Sequence, residues 1–304
     1  MKLISKIKKS KFGKVAVSRY HCVTSWLYPK LVPDKKAVIR YYRKKSGGQT
    51  VDLIAPKKFS EKLQWYKLNA KNPLMQTCAD KVAVREYLKQ IGYGYLLNDI
   101  YGVYDRVKDI NFSELPEQYV IKAAHGSGQN IIVDDKEKLD VKYSKKLLNA
   151  WLHQDISWSG REWVYKGMPR RIIIEKFLKD ETGELRDYKF FCFNGKPTFM
   201  QLEVGRYAGK NTRNFYDMEW NLMPFGKEIP HDPNIVVEKP AMFDEMKKIA
   251  SELCKPFQFV RVDLYQVMGK IYFGELTFFP AGGAPDFVPS KYDEIVGDFW
   301  ELKE

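Results

Sequence analysis

The sequence predicts an α+β protein in which strands pair mainly with antiparallel neighbours. Runs of helical hydrophobic period are mixed with short runs rich in β-branched and aromatic residues, and glycine-containing turns join neighbouring strand-like runs into hairpins. The apolar content of 44% is ordinary for a protein with a packed core. The helical runs are 59–69, 80–91, 139–153 and 242–254. The strand-like runs are 118–122, 129–134, 171–178, 187–193, 197–204, 257–265 and 270–278.

Two of the helical runs have recognisable ends. Ser60 is predicted to be the N-cap of the first, because a hydroxyl can accept a hydrogen bond from the first turn. Gly92 is predicted to end the second. Lys81 falls in the first turn of that second helix and is expected to project from the helix start.

The cysteines and histidines indicate neither disulfides nor a zinc site. The four cysteines contain no Cys-x-x-Cys spacing, and the four histidines contain no His-Glu-x-x-His. The first nine residues lack the apolar core of a signal peptide, and no stretch approaches the roughly 18 apolar residues of a membrane span. We expect a cytoplasmic protein that can associate peripherally with the inner face of the cell membrane.

The net charge of +13 arises in the first 50 residues. They hold 14 of the 51 basic residues and one of the 38 acidic residues, so the remainder holds 37 of each and is neutral. A basic segment interleaved with aromatic and aliphatic residues can lie on an anionic membrane surface. A solvated face packed on the fold and a nucleic-acid contact are the alternatives, and the sequence favours both less than the membrane surface.

Arg261, Asp263 and Glu275 lie on two strand-like runs joined by a turn at 268–270. Side chains alternate along a strand, so Arg261 and Asp263 share a face, and the same face of the paired strand can include Glu275. Two neighbouring carboxylates repel each other unless a cation lies between them, and such oxygen ligands suit Mg²⁺ held against nucleotide phosphates. A solvated charged hairpin is the alternative interpretation.

An upstream hairpin has matching chemistry. The run 117–122 ends in Lys122, and the glycine-rich tip 126–128 connects it to the β-branched run 131–133. A flexible tip can bring backbone N–H groups close to phosphate oxygens, and the lysine would add a point charge. The tip is not a Walker loop, because no Gly-Lys-Ser/Thr follows, and it does not match the glycine loop of a dinucleotide fold. An ordinary turn is the alternative.

The order of these features resembles the ATP-grasp ligases, and within them the branch of the teichuronopeptide-biosynthesis protein, over about residues 78–300. The resemblance implies an ATP-grasp fold, with two α+β lobes whose antiparallel sheets enclose a nucleotide cleft, preceded by a basic helical segment. The expected domains are a basic, partly helical segment over 1–50 and an ATP-grasp domain over 51–304. About 115–178 would form the lid lobe and hinge.

The resemblance also implies a set of site residues and the cofactors ATP and Mg²⁺. The ATP-binding residues would be Lys81, Lys122, Gly126, Ser127, Gly128, Glu175, Lys176, Phe177, Leu178, Asp187 and Lys189. Glu175 would face the exocyclic amine of adenine. Asp263, Glu275 and Thr277 would hold the metal, although many relatives have Asn where this chain has Thr277. A hydroxyl is a weaker oxygen ligand than an amide carbonyl, so one tight Mg²⁺ and two ions with one weak site are both compatible.

The implied activity is ADP-forming ligation of a carboxylate to an amine through an acyl phosphate. Direct attack of an amine on a free carboxylate would have to expel oxide, whereas phosphate is a good leaving group. Arg261 would be the catalytic residue that stabilises the tetrahedral intermediate, because its charge is permanent. The relatives imply a glycan containing uronic acid as the carboxylate partner, in surface polysaccharide synthesis. The amine would be a small molecule such as an amino acid.

Two loops are expected to meet the substrate. Arg206 and Lys210 lie in the basic loop 205–213, which could close over an acyl phosphate. Gly282 and Gly283 lie in the loop 280–285, which follows the metal strand and is expected to line the acceptor side. The glycines of this second loop would alternatively serve only the turn.

Two rival classes remain at this point. A glycosyltransferase would need a nucleotide-sugar site such as an Asp-x-Asp strand end, and the sequence contains no Asp-x-Asp. A noncatalytic ATP-binding scaffold on the membrane surface would keep the fold without phosphoryl transfer. The joint presence of Lys122, Arg261, Asp263 and Glu275 argues against that scaffold.

Overall fold

The computed structural model describes residues 10–180, 183, 185–204, 212–227, 231–232, 234–235 and 237–303. Its helices are α1 (Lys11–Leu31), α2 (Asp34–Lys45), α3 (Phe59–Asn69), α4 (Pro73–Ala79), α5 (Ala83–Gln90), α6 (Val141–Leu152), α7 (Ser157–Gly160), α8 (Phe243–Cys254) and α9 (Tyr292–Asp298). Its strands are β1 (Ile100–Tyr104), β2 (Tyr119–Ala123), β3 (Asn130–Val133), β4 (Ile172–Lys176), β5 (Asp187–Phe193), β6 (Lys196–Val204), β7 (Thr212–Asp217), β8 (Phe259–Val267) and β9 (Lys270–Thr277).

The chain divides into two compact units. One comprises the residues up to Ala37 and Gln76–Phe177, and the other comprises Val38–Met75 and the residues from Leu178 onward. Each unit contains one antiparallel sheet with helices, so the predicted α+β class with antiparallel neighbours is confirmed. The proposed boundary at residue 50 and the lid over about 115–178 stay predictions.

The first unit is built on a sheet of order β1-β4-β2-β3. Strand β2 alternates buried and half-buried positions, whereas the three isoleucines that begin β4 are all buried. Inward side chains of both strands form a core with α6, including Ile121, Leu148 and Ile174. Helix α1 packs along α6, where Gln154 Nε2 donates to the Ser18 carbonyl at 2.9 Å. From residue 10 onward, the basic segment is therefore largely helical, and α1 is fixed to this unit.

The second unit is built on a sheet of order β7-β6-β5-β8-β9. One face is covered by α8, whose Phe243 stacks on Phe190 with ring centroids 5.9 Å apart. The other face is aromatic at one end, where Phe59 of α3 packs on Phe259 at 5.1 Å. Charged residues occupy the other end of the same face. The alternation of strand side chains therefore separates a packed layer from a polar layer.

Two predicted helix starts are wrong in detail. Helix α5 begins at Ala83, so Lys81 precedes the helix; the Asp80 carboxylate accepts from the N–H groups of Val82 and Ala83 and forms the turn. Ser60 is not the N-cap of α3, because the helix already begins at Phe59. Its hydroxyl contacts the buried Asp293 carboxylate instead, a tertiary contact that outcompetes local capping.

In the part of the chain that the structure describes, no helix combines the length and the apolar character that crossing a membrane requires.

Candidate active site

The second unit carries a group of polar side chains on one face of its sheet, here called the carboxylate cluster. Its members come from three adjacent strands and are Asp187 and Lys189 of β5, Arg261 and Asp263 of β8, and Glu275 and Thr277 of β9. Directly opposed pairs in the ladder include Lys189 with Asp263 and Asp263 with Glu275. Opposed residues in a ladder point to the same side, so the sheet brings these residues together. The predicted shared face of Arg261, Asp263 and Glu275 is thereby observed.

A β-bulge at Gly274 sets this alignment. The pairing of β8 with β9 runs from Val267 with Lys270, at the tight turn, to Leu264 with Phe273. The register then shifts by one residue, so that Asp263 pairs with Glu275. Without the extra residue, Asp263 would oppose Gly274, and Glu275 would point to the other face. A Cβ at Gly274 would lie 2.9 Å from the Asp263 carbonyl oxygen, so the bulge requires glycine.

Arg261 connects the acidic members of the cluster. Its Nε donates to Asp263 Oδ1 at 2.7 Å and its Nη2 donates to Asp263 Oδ2 at 2.6 Å, a bidentate pair. The same Nη2 lies 3.2 Å from Glu275 Oε1 and 3.1 Å from Thr277 Oγ1. Burial lowers the pKa of Arg261, but the carboxylates of Asp263 and Glu275 outweigh it and raise the pKa above its ordinary range. The guanidinium is a fixed positive charge.

Lys189 holds the other side of the cluster. Its ammonium group contacts the Asp187 carboxylate and donates to Asp263 Oδ2 at 2.8 Å. Burial raises the pKa of Asp187 to about 6, assisted by the negative charge of Asp263 and opposed by Lys189. Burial lowers the pKa of Lys189, yet Asp187 and Asp263 together raise it above its ordinary value. Asp187 Oδ1 is buried and has no hydrogen-bond partner among the described residues.

The donors of the carboxylate cluster fit Mg²⁺. Mg²⁺ in proteins usually takes one or two carboxylates together with substrate phosphates and water, and Asp263 and Glu275 provide that number on paired strands. Thr277 donates its hydroxyl to Glu275 Oε1 at 2.9 Å, so it orients one of these carboxylates. Among the described residues, no group of three or more His, Cys, Asp or Glu side chains forms a metal site by itself. Phosphate oxygens and water would complete the coordination.

The first unit places Lys122 and Glu175 on one face of its sheet. In the β2–β4 ladder Val120 opposes Glu175 and Lys122 opposes Ile173, so the two charged side chains are diagonal neighbours. Lys122 Nζ donates to Glu175 Oε2 at 2.6 Å, and both side chains are largely buried. In the structure the Glu175 carboxylate is therefore held by Lys122; its predicted contact with adenine stays a prediction.

The glycine-rich tip is a hairpin loop between β2 and β3, with Lys122 paired opposite Asn130. Lys81 Nζ donates to the Gly126 carbonyl at 2.6 Å, so the lysine reaches the tip although it lies before α5. Ser127 and Gly128 are exposed, and Gly128 has a φ of 69°, which favours glycine. Lys81 and the tip are thus neighbours, which the sequence could not establish.

The predicted adenine-binding segment follows β4. Its Lys176 is anchored to the preceding loop, since its N–H donates to the Asp99 carbonyl at 3.0 Å and its carbonyl accepts from Asn98 Nδ2 at 2.8 Å. Phe177 is half-buried at the end of this unit, and Leu178 is the first residue assigned to the second unit. The nucleotide contacts predicted for these residues stay predictions.

The loop residues predicted to bind substrate have different outcomes. Arg206 and Lys210 lie outside the described residues. Gly282 and Gly283 pack against α3, where the Gly283 carbonyl accepts from Gln64 Nε2 at 2.7 Å. The Gly282 carbonyl accepts from Lys67 Nζ at 2.6 Å. These contacts show a structural use for the two glycines, and the substrate contact stays a prediction.

A buried ion pair beside the carboxylate cluster was not foreseen. Lys227 Nζ lies 3.1 Å from Asp286 Oδ1, and the side chains are 4% and 8% exposed. The ammonium group also lies over the rings of Phe191 and Phe287, at 5.2 and 4.6 Å from their centroids. Burial lowers the pKa of Lys227, opposed by Asp286. Phe191 opposes Arg261 in the ladder, so the pair adjoins the cluster. No local sequence signal marks these two residues, which are 59 positions apart.

Two antiparallel sheets with flanking helices, a lysine hairpin with a glycine-rich tip, and paired carboxylates beside an arginine are the features of the ATP-grasp class. The sequence model of the family described as TupA-like ATPgrasp matches residues 61–301. The chain belongs to this family, and the fold is the ATP-grasp fold expected from the sequence. No curated protein sequence matches the chain significantly.

Solved ATP-grasp structures are similar at low sequence identity. The D-alanine–D-alanine ligase from Bacillus anthracis complexed with ATP is 18% identical, with a TM-score of 0.40; the match covers 66% of this chain and 55% of that ligase. D-alanyl-alanine synthetase A from Vibrio cholerae is 11% identical, with a TM-score of 0.43; the match covers 73% of this chain and 63% of the synthetase. Phosphoribosylamine–glycine ligase from Thermotoga maritima is 16% identical, with a TM-score of 0.43; the match covers 74% of this chain and 55% of that ligase. The chain thus spans less than two thirds of the length of each.

Proposed function

We propose that this protein is an ATP- and Mg²⁺-dependent ligase that joins a carboxylate to an amine through an acyl phosphate. The observation that carries the proposal is the carboxylate cluster, in which Arg261 contacts both Asp263 and Glu275. Membership of the TupA-like ATPgrasp family supports the ATP dependence. The D-alanine and glycine ligases named above join carboxylates to amines, and we extend that chemistry to this chain as part of the proposal.

In this proposal the first unit binds the nucleotide. The ammonium groups of Lys81 and Lys122 supply positive charge for phosphate oxygens, and the exposed tip at Ser127 and Gly128 supplies backbone N–H groups. The segment after Glu175 would contact the adenine. ATP would compete with Glu175 for Lys122, so nucleotide binding exchanges one charge partner of the lysine for another.

The carboxylate cluster holds the reacting end. Mg²⁺ bound there would neutralise phosphate charge and orient the γ-phosphate. Asp263 and Glu275 provide the ligands, Thr277 orients Glu275, and Lys189 offsets the charge of Asp187 and Asp263. Arg261 is a permanent cation on the same face and is available to an oxygen that gains negative charge.

The reaction has two steps. A carboxylate oxygen of the substrate attacks the γ-phosphorus, the bond to the bridging oxygen of ADP breaks, and an acyl phosphate and ADP form. The amine then attacks the acyl carbon, the C–O bond to phosphate breaks, and the amine loses a proton to give an amide and inorganic phosphate. Arg261 would stabilise the tetrahedral oxyanion of the second step.

We further propose that the carboxylate belongs to a uronic acid in a surface polysaccharide or its precursor, and that the amine is an amino acid or amino sugar. The resemblance to the teichuronopeptide branch supports this choice. The substrates are otherwise unassigned by the geometry, so the experiment must vary both partners.

The test is an incubation of the purified chain with Mg-ATP, oligosaccharides of glucuronate or galacturonate, and pooled amino acids. We expect ADP release that needs both partners, and a product whose mass equals the glycan plus an amino acid minus water. In a parallel incubation with an added nucleotide sugar, a product heavier by one sugar would instead indicate a glycosyltransferase. The absence of ADP with every pair would support a noncatalytic scaffold.

A further inference from the structure

Helix α1 exposes an apolar surface along its length, here called the apolar face. Its large members are Tyr20, Val23, Leu27 and Leu31, which are 65%, 61%, 42% and 74% exposed. Spacings of three and four residues place them on one side of the helix, together with the exposed Ala16. The face therefore extends over about four turns of a helix that is otherwise fixed to the first unit.

The helix packs with its opposite side. Ser18 and Ser25 are buried there, and Cys22 Sγ lies 3.4 Å from the Ala150 carbonyl of α6. Globular proteins usually bury the apolar side of a surface helix and expose the polar side. Val15 of α1 packs on the core of the unit and Tyr28 packs on Trp158. The large apolar side chains of the apolar face, in contrast, remain exposed on the described fold.

Cations accompany the apolar face. Arg19 and Lys30 are exposed and flank one side of it at helical spacing. Exposed cations of the same unit continue into the start of α2, at Lys35 and Lys36. Residues 51–304 have equal numbers of basic and acidic residues, so the positive charge is confined to the segment that carries the apolar face.

We propose that α1 docks its apolar face into the surface of an anionic lipid membrane, lying in the plane of the interface. Large apolar side chains enter the boundary between headgroups and acyl chains, and the neighbouring cations attract anionic headgroups. The charge complementarity favours an anionic surface over an apolar groove on another protein. Catalysis at a membrane surface would suit a lipid-linked glycan, but this inference does not rest on the ligase activity.

The experiment is flotation of the full-length chain with vesicles of phosphatidylcholine, with or without about 30% phosphatidylglycerol, in the absence of nucleotide. We expect the wild type to bind the anionic vesicles at least about tenfold more tightly than the neutral ones. Raising the salt from about 0.05 to about 0.5 M should weaken this binding, because headgroup attraction is screened.

Two variants separate the apolar contribution from charge. The substitution Val23→Gln with Leu27→Gln and Leu31→Gln keeps the net charge and should reduce binding by about tenfold or more, because the inserted apolar area is lost. The matched control is Ile54→Gln with Ile132→Gln and Met268→Gln, three exposed apolar residues outside α1. The control should bind like the wild type. Both variants should unfold at the wild-type temperature, since every substituted side chain is exposed.

Several outcomes would overturn the proposal. They are equal binding to neutral and anionic vesicles, an equal loss of binding in the control, and no vesicle binding by the wild type. Self-association of the wild type that the α1 variant abolishes, measured by light scattering without vesicles, would show that the apolar face is covered by a second copy of the chain instead.

Discussion

At the scale of single residues, Arg261 is the side chain with the most specific role. Its guanidinium is charged at any physiological pH, and two of its nitrogens donate hydrogen bonds to the two carboxylate oxygens of Asp263. The arginine therefore holds the carboxylate cluster together, and in the proposed reaction it would meet a developing oxyanion. Asp187 and Lys189 have a different role, because the positive charge of buried Lys189 offsets the negative charges of Asp187 and Asp263.

Arg261→Ala should lower kcat by about 100-fold or more, because removing one charge stabiliser of this type costs about 3 kcal/mol in the barrier. ATP affinity should remain measurable, since the residues that we propose to bind the nucleotide lie mainly in the first unit. Arg261→Lys keeps the positive charge but loses the two-pronged guanidinium, so its kcat should lie between those of the wild type and Arg261→Ala. Arg106→Ala removes an exposed arginine paired with Asp109 and serves as the control. An alanine variant that retains more than about a tenth of the activity would refute the assigned role.

The raised pKa of Asp187 predicts that the stability of the protein depends on pH. Its pKa is about 6 in the folded protein and 3.8 ordinarily, so between those values the folded state holds a proton that the unfolded chain has released. This group's contribution to stability therefore falls as the pH rises from about 4 to about 6. Relative to the wild type, Asp187→Asn should gain up to about 3 kcal/mol in unfolding free energy between pH 4 and pH 7. Urea unfolding at a series of fixed pH values measures the unfolding free energy of both proteins. If the free energies of the wild type and Asp187→Asn changed in parallel with pH, the prediction would be wrong.

At the scale of elements, the β8–β9 hairpin depends on the bulge at Gly274. Gly274→Ala places a Cβ 2.9 Å from the Asp263 carbonyl and 3.0 Å from the Tyr265 ring, so the backbone must shift and displace Glu275. We expect kcat to fall more than about tenfold. The control is Gly269→Ala in the same hairpin, whose φ of 69° is strained for alanine but whose Cβ meets nothing within 4 Å.

The control should lose about 1 kcal/mol of stability and keep its activity, since the turn lies away from the cluster. If Gly274→Ala retained kcat within about twofold, the cluster would tolerate a changed register and the bulge would have no role in catalysis.

The Lys227–Asp286 pair connects the segment after β7 to the loop after β9. Asp286→Asn leaves a buried ammonium group without its counter-charge and should cost about 3 to 5 kcal/mol of stability. Adding Lys227→Met removes that charge, so the double variant should be more stable than Asp286→Asn alone. The exposed pair Lys239 and Asp244 is the control, with a coupling below about 1 kcal/mol. A similarly small coupling for Lys227 and Asp286 in urea unfolding would contradict the prediction.

At the scale of the whole molecule, ligand binding should be visible as thermal stabilisation. A nonhydrolysable ATP analogue with Mg²⁺ at 100 times its Kd adds about 2.7 kcal/mol, which corresponds to roughly 5 to 10 °C in Tm. Chelation of Mg²⁺ should remove most of the shift. The double variant Asp263→Asn with Glu275→Gln should lose the dependence on Mg²⁺ while some nucleotide effect remains. A wild-type shift that is unaffected by chelation would contradict the assigned metal ligands.

Most of the fold was accessible from the sequence because hydrophobic period and turn residues are local signals. The runs 187–193 and 242–254 correspond closely to β5 and α8. Asn194-Gly195 is a further hairpin signal, and both residues adopt positive φ between β5 and β6. Ser60 was misassigned because its partner, Asp293, is distant in the sequence. Helix starts that depend on such contacts cannot be derived from local preference.

The sequence by itself determined the chemical composition of the site: a lysine hairpin, an arginine, and two carboxylates on strands that must pair. Side-chain alternation and short turns are sufficient for that. Only the tertiary structure decided that Glu275 lies on the face of Asp263, because one extra residue at Gly274 reverses the side to which every later residue points. It also brought Lys227 to Asp286 and exposed the apolar face of α1, since burial depends on contacts between segments far apart in the chain.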